Sequence, residues 1–278
     1  MLVITGCTGR LGPLVAEEIA RRDLPMRLLV RDAARAPVVQ GAEVVVADYG
    51  EPESLARALG EGDRVFMVSV HEGPARRVPL HRSFVEAAAR AGVAHVVYLS
   101  FVNAGPGAIF LHARSHGDTE AMLDASGLQW TFMRNGMYAD ELRGWFDAER
   151  VNRVPGGDGR MSFTYRPELA AAIAVVLTEP GHEGRTYDVT TPDAVTMAEL
   201  AGIAEEVSGE QFSWSPTSDD GWERRWREAG REGWRVEAGL TSYAALRAGE
   251  LDVVSDDFRK LTGHAPLTIR EIAERVLT

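Results

Sequence analysis

The sequence predicts an α/β protein built on a doubly wound, parallel β-sheet. Short apolar runs alternate with amphipathic, helix-like runs through the first half of the chain. The apolar runs are continuous rather than alternating, which is typical of strands covered by helices on both faces. Right-handed crossovers between parallel strands then place the helices on the two faces of one sheet. The chain of 278 residues is long enough for this sheet and a smaller attached lobe.

The elements before residue 134 follow one another regularly. The predicted strands are residues 1–5, 26–30, 42–48, 63–69, 95–100 and 128–133, and the helices between them are residues 14–22, 54–60, 79–92 and 116–127. Beyond Arg134 the pattern predicts an aromatic helix over residues 135–149, a turn at 154–159, a helix at 166–180 and a strand at 185–190. We assign residues 1–134, with about 160–190, to the sheet domain, and about 135–159 and 191–278 to a small, mostly helical C-terminal lobe.

The composition argues against several classes of function. The net charge of −11 gives no electrostatic support for binding nucleic acid. The apolar runs are too short to cross a membrane, and Met1 leads directly into a strand without a basic leader, so we expect a cytoplasmic protein. Cys7 is the only cysteine, which excludes an intrachain disulfide and a multi-cysteine metal centre. We predict no metal, and the sequence leaves the oligomeric state open.

A glycine-rich turn follows the first predicted strand and opens the first helix. The segment ITGCTGRLG spaces three glycines at intervals of three residues. Such glycines allow a tight turn and let backbone N–H groups approach a pyrophosphate at the N-terminus of the helix. We therefore predict a Rossmann-type dinucleotide-binding domain. The turn residues predicted to contact the cofactor are Gly6, Thr8, Gly9, Arg10, Leu11 and Gly12, with Arg10 alternatively a solvated loop residue.

The residues after the second strand indicate which dinucleotide is bound. Arg31 and Arg35 follow this strand, and a guanidinium suits the 2′-phosphate of NADP(H). Asp32 follows Arg31 directly, and an acidic residue at this place favours the ribose of NAD(H). NADP(H) is our prediction, with NAD(H) as the alternative.

Other residues at the strand ends are predicted to lie along the cofactor. Asp48 and Tyr49 end the third strand and would frame the adenine, although Asp48 also suits an Asx-type turn. The further predicted cofactor contacts are Ser69, Val70, Ser100 and Asn135. Because the carboxyl ends of parallel strands meet at one edge of the sheet, all these residues are expected at that edge.

Several segments together match one known family. They include LLVRDAAR, HVVYLS, PGHEGRTYDVT and, most specifically, EAMLDASGLQWTFMRNGMY, within residues 1 to about 190; residues 258–272, FRKLTGHAPLTIREI, match again. In these segments the chain resembles the NmrA-like, atypical short-chain dehydrogenase/reductases, in particular their quinone-reductase and triphenylmethane-reductase branch. The resemblance implies an NADP(H)-binding core, a variable C-terminal lobe and a substrate cleft between them.

The resemblance also points to an unusual catalytic helix. Typical short-chain dehydrogenases carry Tyr-x-x-x-Lys after the fifth strand, whereas the resemblance places His112 at the tyrosine position and His116 at the lysine position. The only lysine, Lys260, lies far along the chain. We expect His116 to contact the nicotinamide ribose or the substrate, and His112 to donate a proton near its ordinary pKa of about 6.5. Tyr138 completes the predicted catalytic residues. A metal site would need further ligands beside the histidines.

Without a tyrosine acid, the favoured substrates are those that need little protonation after hydride addition. A reduced quinone carries a phenolate-like oxygen with a conjugate-acid pKa of about 10, and a conjugated cation is simply neutralised by a hydride. Aromatic side chains suit such flat substrates, although each also suits core packing. The predicted substrate-binding residues are Phe101, Met137, Tyr138, Trp145, Phe146 and Phe163.

We therefore predict an NADPH-dependent reductase that transfers hydride to a quinone or another extended aromatic small molecule. In one alternative, the same reduction activates an aromatic polyketide quinone for O2-dependent hydroxylation. This alternative suits the arginine- and alanine-rich composition, which is typical of GC-rich genomes. A second alternative is a non-catalytic NADP-binding redox sensor, which the missing Tyr-Lys pair favours.

Overall fold

The computed structural model describes residues 1–278 and contains twelve strands, ten α-helices and two short 3-10 segments. The strands are β1 (Leu2–Ile4), β2 (Met26–Val30), β3 (Ala42–Val46), β4 (Arg64–Met67), β5 (His95–Phe101), β6 (Gln129–Asn135), β7 (Met137–Tyr138), β8 (Val151–Asn152), β9 (Met161–Thr164), β10 (Arg185–Val189), β11 (Ala194–Val195) and β12 (Ser213–Trp214). The helices are α1 (Gly12–Ala20), α2 (Pro52–Ala58), α3 (Pro74–Ala91), α4 (Leu111–Ala125), α5 (Arg166–Thr178), α6 (Met197–Ser208), α7 (Asp219–Glu228), α8 (Gly233–Arg247), α9 (Asp257–Thr262) and α10 (Ile269–Leu277). The 3-10 segments are Ala33–Arg35 and Ala139–Trp145.

Seven strands form the main sheet in the order β10-β6-β5-β4-β1-β2-β3, and every pair in it is parallel. The predicted doubly wound sheet is confirmed. Apolar side chains of α1 and α5, such as Val15 and Ile173, pack on one face. Those of α2, α3 and α4, such as Leu55, Phe84 and Leu123, pack on the other face. Helices on both faces explain why β5 is buried at all seven positions.

A second apolar core lies in the region after β6. Two small sheets, β11-β9-β7 and β12-β8, are packed with residues of α6, α7, α8 and α10. From the sequence we assigned residues 160–190, which include β9, to the sheet domain. In the structure β9 instead pairs with β7 and β11. Helix α5 and strand β10 do pack with the main sheet, and α9 returns to it through Phe258.

The structure corrects two predicted helices. Residues 135–149 do not form one helix, because the chain runs extended as β7 and then forms a 3-10 segment. Gly136 donates its N–H to Thr164 Oγ1 at 2.8 Å, which ties this segment to β9. Helix α3 starts at Pro74 rather than at Pro79, so Pro79 lies inside the helix. This longer helix brings Arg77 and His81 to the buried face of α3.

Candidate functional site

The glycine turn between β1 and α1 requires its glycines for steric reasons. Gly6 has a φ of +67°, and a Cβ there would lie 2.5 Å from Val68 Cγ1. A Cβ on Gly12 would lie 2.4 Å from the carbonyl oxygen of Gly6, and Gly9 donates its N–H to that same oxygen at 3.0 Å. The turn therefore closes on itself so tightly that no side chain fits at Gly6 or Gly12.

The N-terminus of α1 has free backbone donors. No side chain caps this helix, and Pro13 stands in its first turn. The first N–H groups of a helix have no partner within it and favour an anion at that end. Leu11 and Gly12 are buried, whereas Gly9 and Arg10 are exposed and Thr8 is half-buried. The cradle and its free amides thus fit the pyrophosphate of a dinucleotide.

The residues after β2 leave the arginines available. Asp32 accepts a hydrogen bond from Ala34 N–H at 3.0 Å and thereby caps a 3-10 turn. Arg31 and Arg35 are exposed, and their side chains form no hydrogen bond or ion pair within the chain. The carboxylate that would favour NAD(H) is therefore engaged locally, and two guanidinium groups stand free beside it.

Asp48 and Tyr49, at the end of β3, both have structural partners. Asp48 accepts from Gly50 N–H at 2.7 Å, which is the Asx-type turn considered as the alternative. The Tyr49 hydroxyl lies 2.8 Å from Thr5 Oγ1 and donates to the Val68 carbonyl at 3.2 Å. Burial raises the pKa of Tyr49. Tyr49 thus ties together the ends of β1, β3 and β4.

His116 lies on the face of α4 that packs against the main sheet. It is buried, and its Nδ1 is 2.8 Å from the hydroxyl of Tyr98 on β5. The Phe101 ring stacks beside the imidazole at a centroid distance of 6.2 Å. Its pKa is lowered well below 6.5 by burial and by nearby cations, Arg77 first among them. His116 is therefore a neutral imidazole at physiological pH.

Ser100 and Asn135, both predicted cofactor contacts, are buried at the carboxyl ends of β5 and β6. Ser100 donates to Glu120 Oε1 at 2.6 Å, and Arg134 binds the same carboxylate with two nitrogens, at 2.9 and 2.5 Å. Asn135 donates from Nδ2 to the carbonyl of Gly136 at 2.6 Å. These contacts fix the two strand ends to α4 and to the start of β7.

His112 lies one turn before His116, half-buried between Phe110 and Trp234 of α8. Its Nδ1 is buried without a hydrogen-bond partner. Burial, followed by the charge of Arg77, lowers the pKa of His112 to about 3. This corrects the expectation that His112 exchanges protons near pH 6.5, because its acidic form is absent at neutral pH.

A buried polar network lies between α3 and α4, beneath α4, and it was not predicted from the sequence. The N–H of Val70 donates to His81 Nε2 at 3.1 Å, so the proton of His81 is on Nδ1, 2.9 Å from Thr119 Oγ1. Arg77 donates from Nε to the Val70 carbonyl and from Nη1 to Ser115 Oγ, both at 3.1 Å. A signal was present, since Arg77 and His81 share one helix face with the apolar Phe84.

The predicted aromatic wall is only partly assembled. A cavity of about 480 Å³, here called the aromatic cavity, is lined by Met137, Trp145, Phe146, Trp222, Trp226 and Tyr243, among others. Three of the predicted substrate residues are thus brought together. Phe163 is fully buried behind Trp145, and Phe101 is buried against Phe110. Phe163 thus supports the wall from behind, whereas Phe101 packs with Phe110 and His116 instead.

Tyr138 takes no part in the aromatic cavity. The guanidinium of Arg166 lies 3.8 Å above its ring centroid, and burial raises the pKa of Tyr138 to about 12. Arg166 in turn pairs with Asp140 and Glu141. Glu141, which lines the aromatic cavity, also pairs with Arg10 of the glycine turn at 2.8 Å. One ion-pair cluster therefore connects the glycine turn to the cavity.

Two remaining features have structural roles. Cys7 donates its thiol to the Ile4 carbonyl at 3.1 Å, and burial raises the pKa of the thiol to about 12. Lys260 is exposed and pairs with Asp257 at 2.9 Å. No helix is both long and apolar enough to cross a membrane. The structure holds no group of three His, Cys, Asp or Glu side chains that could bind a metal ion.

Comparison with known proteins identifies the family. A model of NAD(P)H-binding proteins matches residues 6–180. The chain belongs to the NAD(P)H-binding family. Quinone oxidoreductase 2 of Escherichia coli is 32% identical over 278 residues, which cover 98% of this chain and 96% of that protein. The present chain is an NAD(P)H-dependent oxidoreductase.

Solved structures of relatives agree along the whole chain. An NADPH-dependent quinone oxidoreductase from Escherichia coli in complex with NADPH has a TM-score of 0.92 and 31% identity, with 100% of both chains covered. The Citrobacter triphenylmethane reductase in complex with NADP(H) has a TM-score of 0.89 and 31% identity, again over 100% of both chains. The resemblance to the quinone-reductase and triphenylmethane-reductase branch is confirmed, as is NAD(P)H as the cofactor.

Proposed function

We propose that this oxidoreductase uses NADPH to reduce quinones or similarly flat, extended aromatic compounds. The observation that carries the proposal is the aromatic cavity, which begins at Met137, two residues beyond the end of β6. Ligands of doubly wound sheets bind outside the carboxyl ends of the strands. A cavity of about 480 Å³ with aromatic walls at that edge suits a flat substrate of two or three rings.

The glycine turn and the free amides of α1 would hold the pyrophosphate of NADPH, and Arg31 and Arg35 would hold its 2′-phosphate. When bound, NADPH supplies the hydride. The exposed arginines and the engaged carboxylate of Asp32 support the choice of NADPH over NADH.

The protein's own contribution to the reaction is mainly orientation. His112 and His116 are neutral imidazoles, and Tyr138 has a raised pKa of about 12. The two histidines therefore carry no imidazolium proton to donate at neutral pH, and Tyr138 lies outside the aromatic cavity, so none of the three is an acid positioned at that cavity. A simple ketone needs such an acid for its alkoxide, whereas a quinone does not, since its reduced form is a phenolate that water can protonate. Stacking in the aromatic cavity would position the substrate.

Steady-state oxidation of NADPH tests this proposal. We expect rapid turnover with 1,4-naphthoquinone and none with cyclohexanone. Trp226→Ala removes one wall of the aromatic cavity and should raise the KM for naphthoquinone about tenfold, the effect of roughly 1.4 kcal/mol of lost stacking. The dissociation constant of NADPH should not change. Trp130→Phe, which alters a tryptophan stacked on Phe132 away from the cavity, is the matched control.

Tight NADPH binding with no turnover across a broad set of quinones would contradict the proposal. That outcome would favour the redox-sensor alternative, for which neither the fold nor the relatives give specific support.

A further inference from the structure

Arg77 is a buried cation without an acidic partner. Arg77 is only 4% exposed, and its side chain donates two hydrogen bonds, both to neutral oxygens, of Val70 and Ser115. The side chain of Arg77 forms no other hydrogen bond and no ion pair. The other buried arginine, Arg166, is by contrast paired with two carboxylates. Acidic residues are not scarce in this chain, since its net charge is −11, so composition does not explain their absence beside Arg77.

The position of Arg77 in the fold makes its charge still less favourable. It is the fourth residue of α3, near the positive end of the helix dipole, and no acidic residue stands in that first turn. A buried charge normally requires a partner to offset its lost hydration. The groups that contact Arg77 offer none, because its two acceptors are a carbonyl and a hydroxyl oxygen. The nearby His81 and His112 are neutral, since burial and the Arg77 charge lower their pKa values to about 3.

The neighbours of Arg77 lie near the carboxyl edge of the main sheet. Val70 follows β4 at the carboxyl edge, and Ser115 lies between the two histidines of α4. His112 Nδ1 is a buried polar atom without a hydrogen-bond partner. Arg77 Nη2 forms no hydrogen bond within the chain and remains in reach of solvent. A cation without an acidic partner and an unpartnered imidazole nitrogen thus lie near the carboxyl edge of the main sheet, the edge at which doubly wound sheets bind their ligands.

We propose that Arg77 stabilises the negative charge that a substrate oxygen acquires on reduction, and that the site therefore selects quinones and acidic aromatic compounds over cationic dyes. This inference rests on the proposed function. Fixed charges of this kind act strongly where water is excluded, and they need no rearrangement during the reaction.

The chemistry balances with water as the proton source. The quinone accepts one hydride, two electrons with one proton, and becomes a hydroquinone monoanion. The cofactor is oxidised to NADP+. The phenolate oxygen then takes a proton from water, which leaves hydroxide, and the neutral hydroquinone departs. Arg77 acts on the anion before that protonation. A cationic dye develops no anion and instead meets a like charge at this position.

The first test needs only the unaltered protein. A phenol bound next to a cation should ionise more readily, with a pKa lowered by roughly 1–3 units. The probe is 4-nitrophenol, whose phenolate absorbs visible light, titrated in the saturated complex with NADP+ and in free solution. We expect a lower pKa for the bound probe. A bound probe with an unchanged or raised pKa would overturn the proposal, whether or not any variant folds.

The second test compares variants of Arg77. Arg77→Met removes the charge at similar length, and Arg77→Lys keeps it. In Arg77→Met we expect the lowered pKa of bound 4-nitrophenol to return toward its value in solution, and kcat for naphthoquinone to fall at least about tenfold, one pKa unit of lost charge stabilisation. Turnover of the cationic dye malachite green should stay level or rise. Arg77→Lys should keep most of the quinone activity.

Two controls distinguish a charge effect on the substrate from a general loss of function and from a loss of cofactor binding. Arg76→Met removes the exposed neighbour that pairs with Glu72, and it should change none of these readouts. The NADPH dissociation constant of Arg77→Met should equal that of the unaltered protein, and a large increase would show that Arg77 serves the cofactor instead. If quinones are reduced but Arg77→Met has the same kcat and the same probe pKa, this inference fails while the proposed function stands.

Discussion

The protein holds its cations in two contrasting regions. Around the glycine turn, Arg31 and Arg35 are exposed and solvated, and Arg10 is exposed in an ion pair with Glu141. Beneath α4, Arg77 is buried among neutral groups. A solvated charge costs little to keep ready for a phosphate, whereas a buried unpaired charge lowers the stability of the fold. A function for the first region is therefore argued from its glycine motif and its exposed arginines. A function for the second region is argued from a buried charge that no acidic partner offsets.

The same contrast separates the ion pairs of the molecule. The pair of Glu120 with Arg134 is mostly buried, with side-chain exposures of 9% and 23%, whereas Arg150 and Glu210 pair at 44% and 41%. Both pairs are bidentate. They form a matched set in which burial is the main variable.

The largest effect is expected from breaking the buried pair. Glu120→Ala leaves the Arg134 guanidinium and the Ser100 hydroxyl without their carboxylate, and it should lower the free energy of unfolding by about 3 kcal/mol. Glu210→Ala, the exposed counterpart, should lower it by less than about 1 kcal/mol. Urea unfolding monitored by circular dichroism measures both. Equal losses in the two variants would show that burial does not control the strength of these pairs.

Gly12→Val tests the exposed region through its backbone. The new Cβ would lie 2.4 Å from the Gly6 carbonyl oxygen, so the turn must open and its amides no longer converge on one point. We expect NADPH affinity to fall about 100-fold, the cost of a misplacement of about 1 Å. Gly107→Ala, where a Cβ meets nothing within 4 Å, should bind NADPH normally. A Gly12→Val protein with full affinity would rule out the turn as the pyrophosphate site.

The buried region should also be sensitive to acid, through its neutral histidines. His81 has a pKa of about 3 in the folded protein and an ordinary value near 6.5 when unfolded. Its contribution to stability is therefore full above pH 6.5 and is lost as the pH falls toward 3, because only the unfolded chain then takes up the proton. At pH 5, protonation of His81 in the unfolded chain should have lowered the free energy of unfolding by about 2 kcal/mol from its value above pH 6.5.

His81→Gln isolates that contribution, since an amide can accept from Val70 N–H and donate toward Thr119. The loss of stability between pH 7 and pH 5 should be about 2 kcal/mol smaller in His81→Gln than in the unaltered protein. His264→Gln, a change at an exposed histidine, is the control and should leave the pH profile as it was. Identical profiles for all three proteins would mean that His81 is not held neutral by burial.

The exposed region was largely predictable from the sequence, and the buried one was not. The glycine turn follows from local spacing, because the positions of Gly6 and Gly12 in a strand-turn-helix segment already specify the geometry. The sheet follows from its continuous apolar strands. Arg77 escaped notice because helix α3 was predicted to start at Pro79, whereas the helix continues back through that proline to Pro74.

The two histidines predicted to be catalytic show the same limit in another form. Their positions on α4 followed from the resemblance, but their ionisation did not. The pKa of His112 depends on burial against Trp234, more than one hundred residues later in the chain, and on Arg77 from a different helix. Phe163 could not be told from a substrate contact, because its place behind Trp145 is set by the pairing of β9 with β7. Long-range packing decided these cases.

The smallest expected effect is that of Arg31, and its salt dependence gives the sharpest contrast between the two regions. Arg31→Ser should raise the dissociation constant of NADPH about tenfold, a loss of roughly 1.4 kcal/mol, and leave that of NADH unchanged, because only NADPH carries the 2′-phosphate. Arg90→Ser, which removes an exposed arginine paired with Glu86, should change neither constant. Since Arg31 is exposed, its contribution should shrink in about 1 M salt, where the screening length falls to about 3 Å. The lowered pKa of 4-nitrophenol beside buried Arg77 should persist in that salt. Equal salt sensitivity of the two effects would mean that both charges act through solvent, and that Arg77 is not shielded from it by the fold.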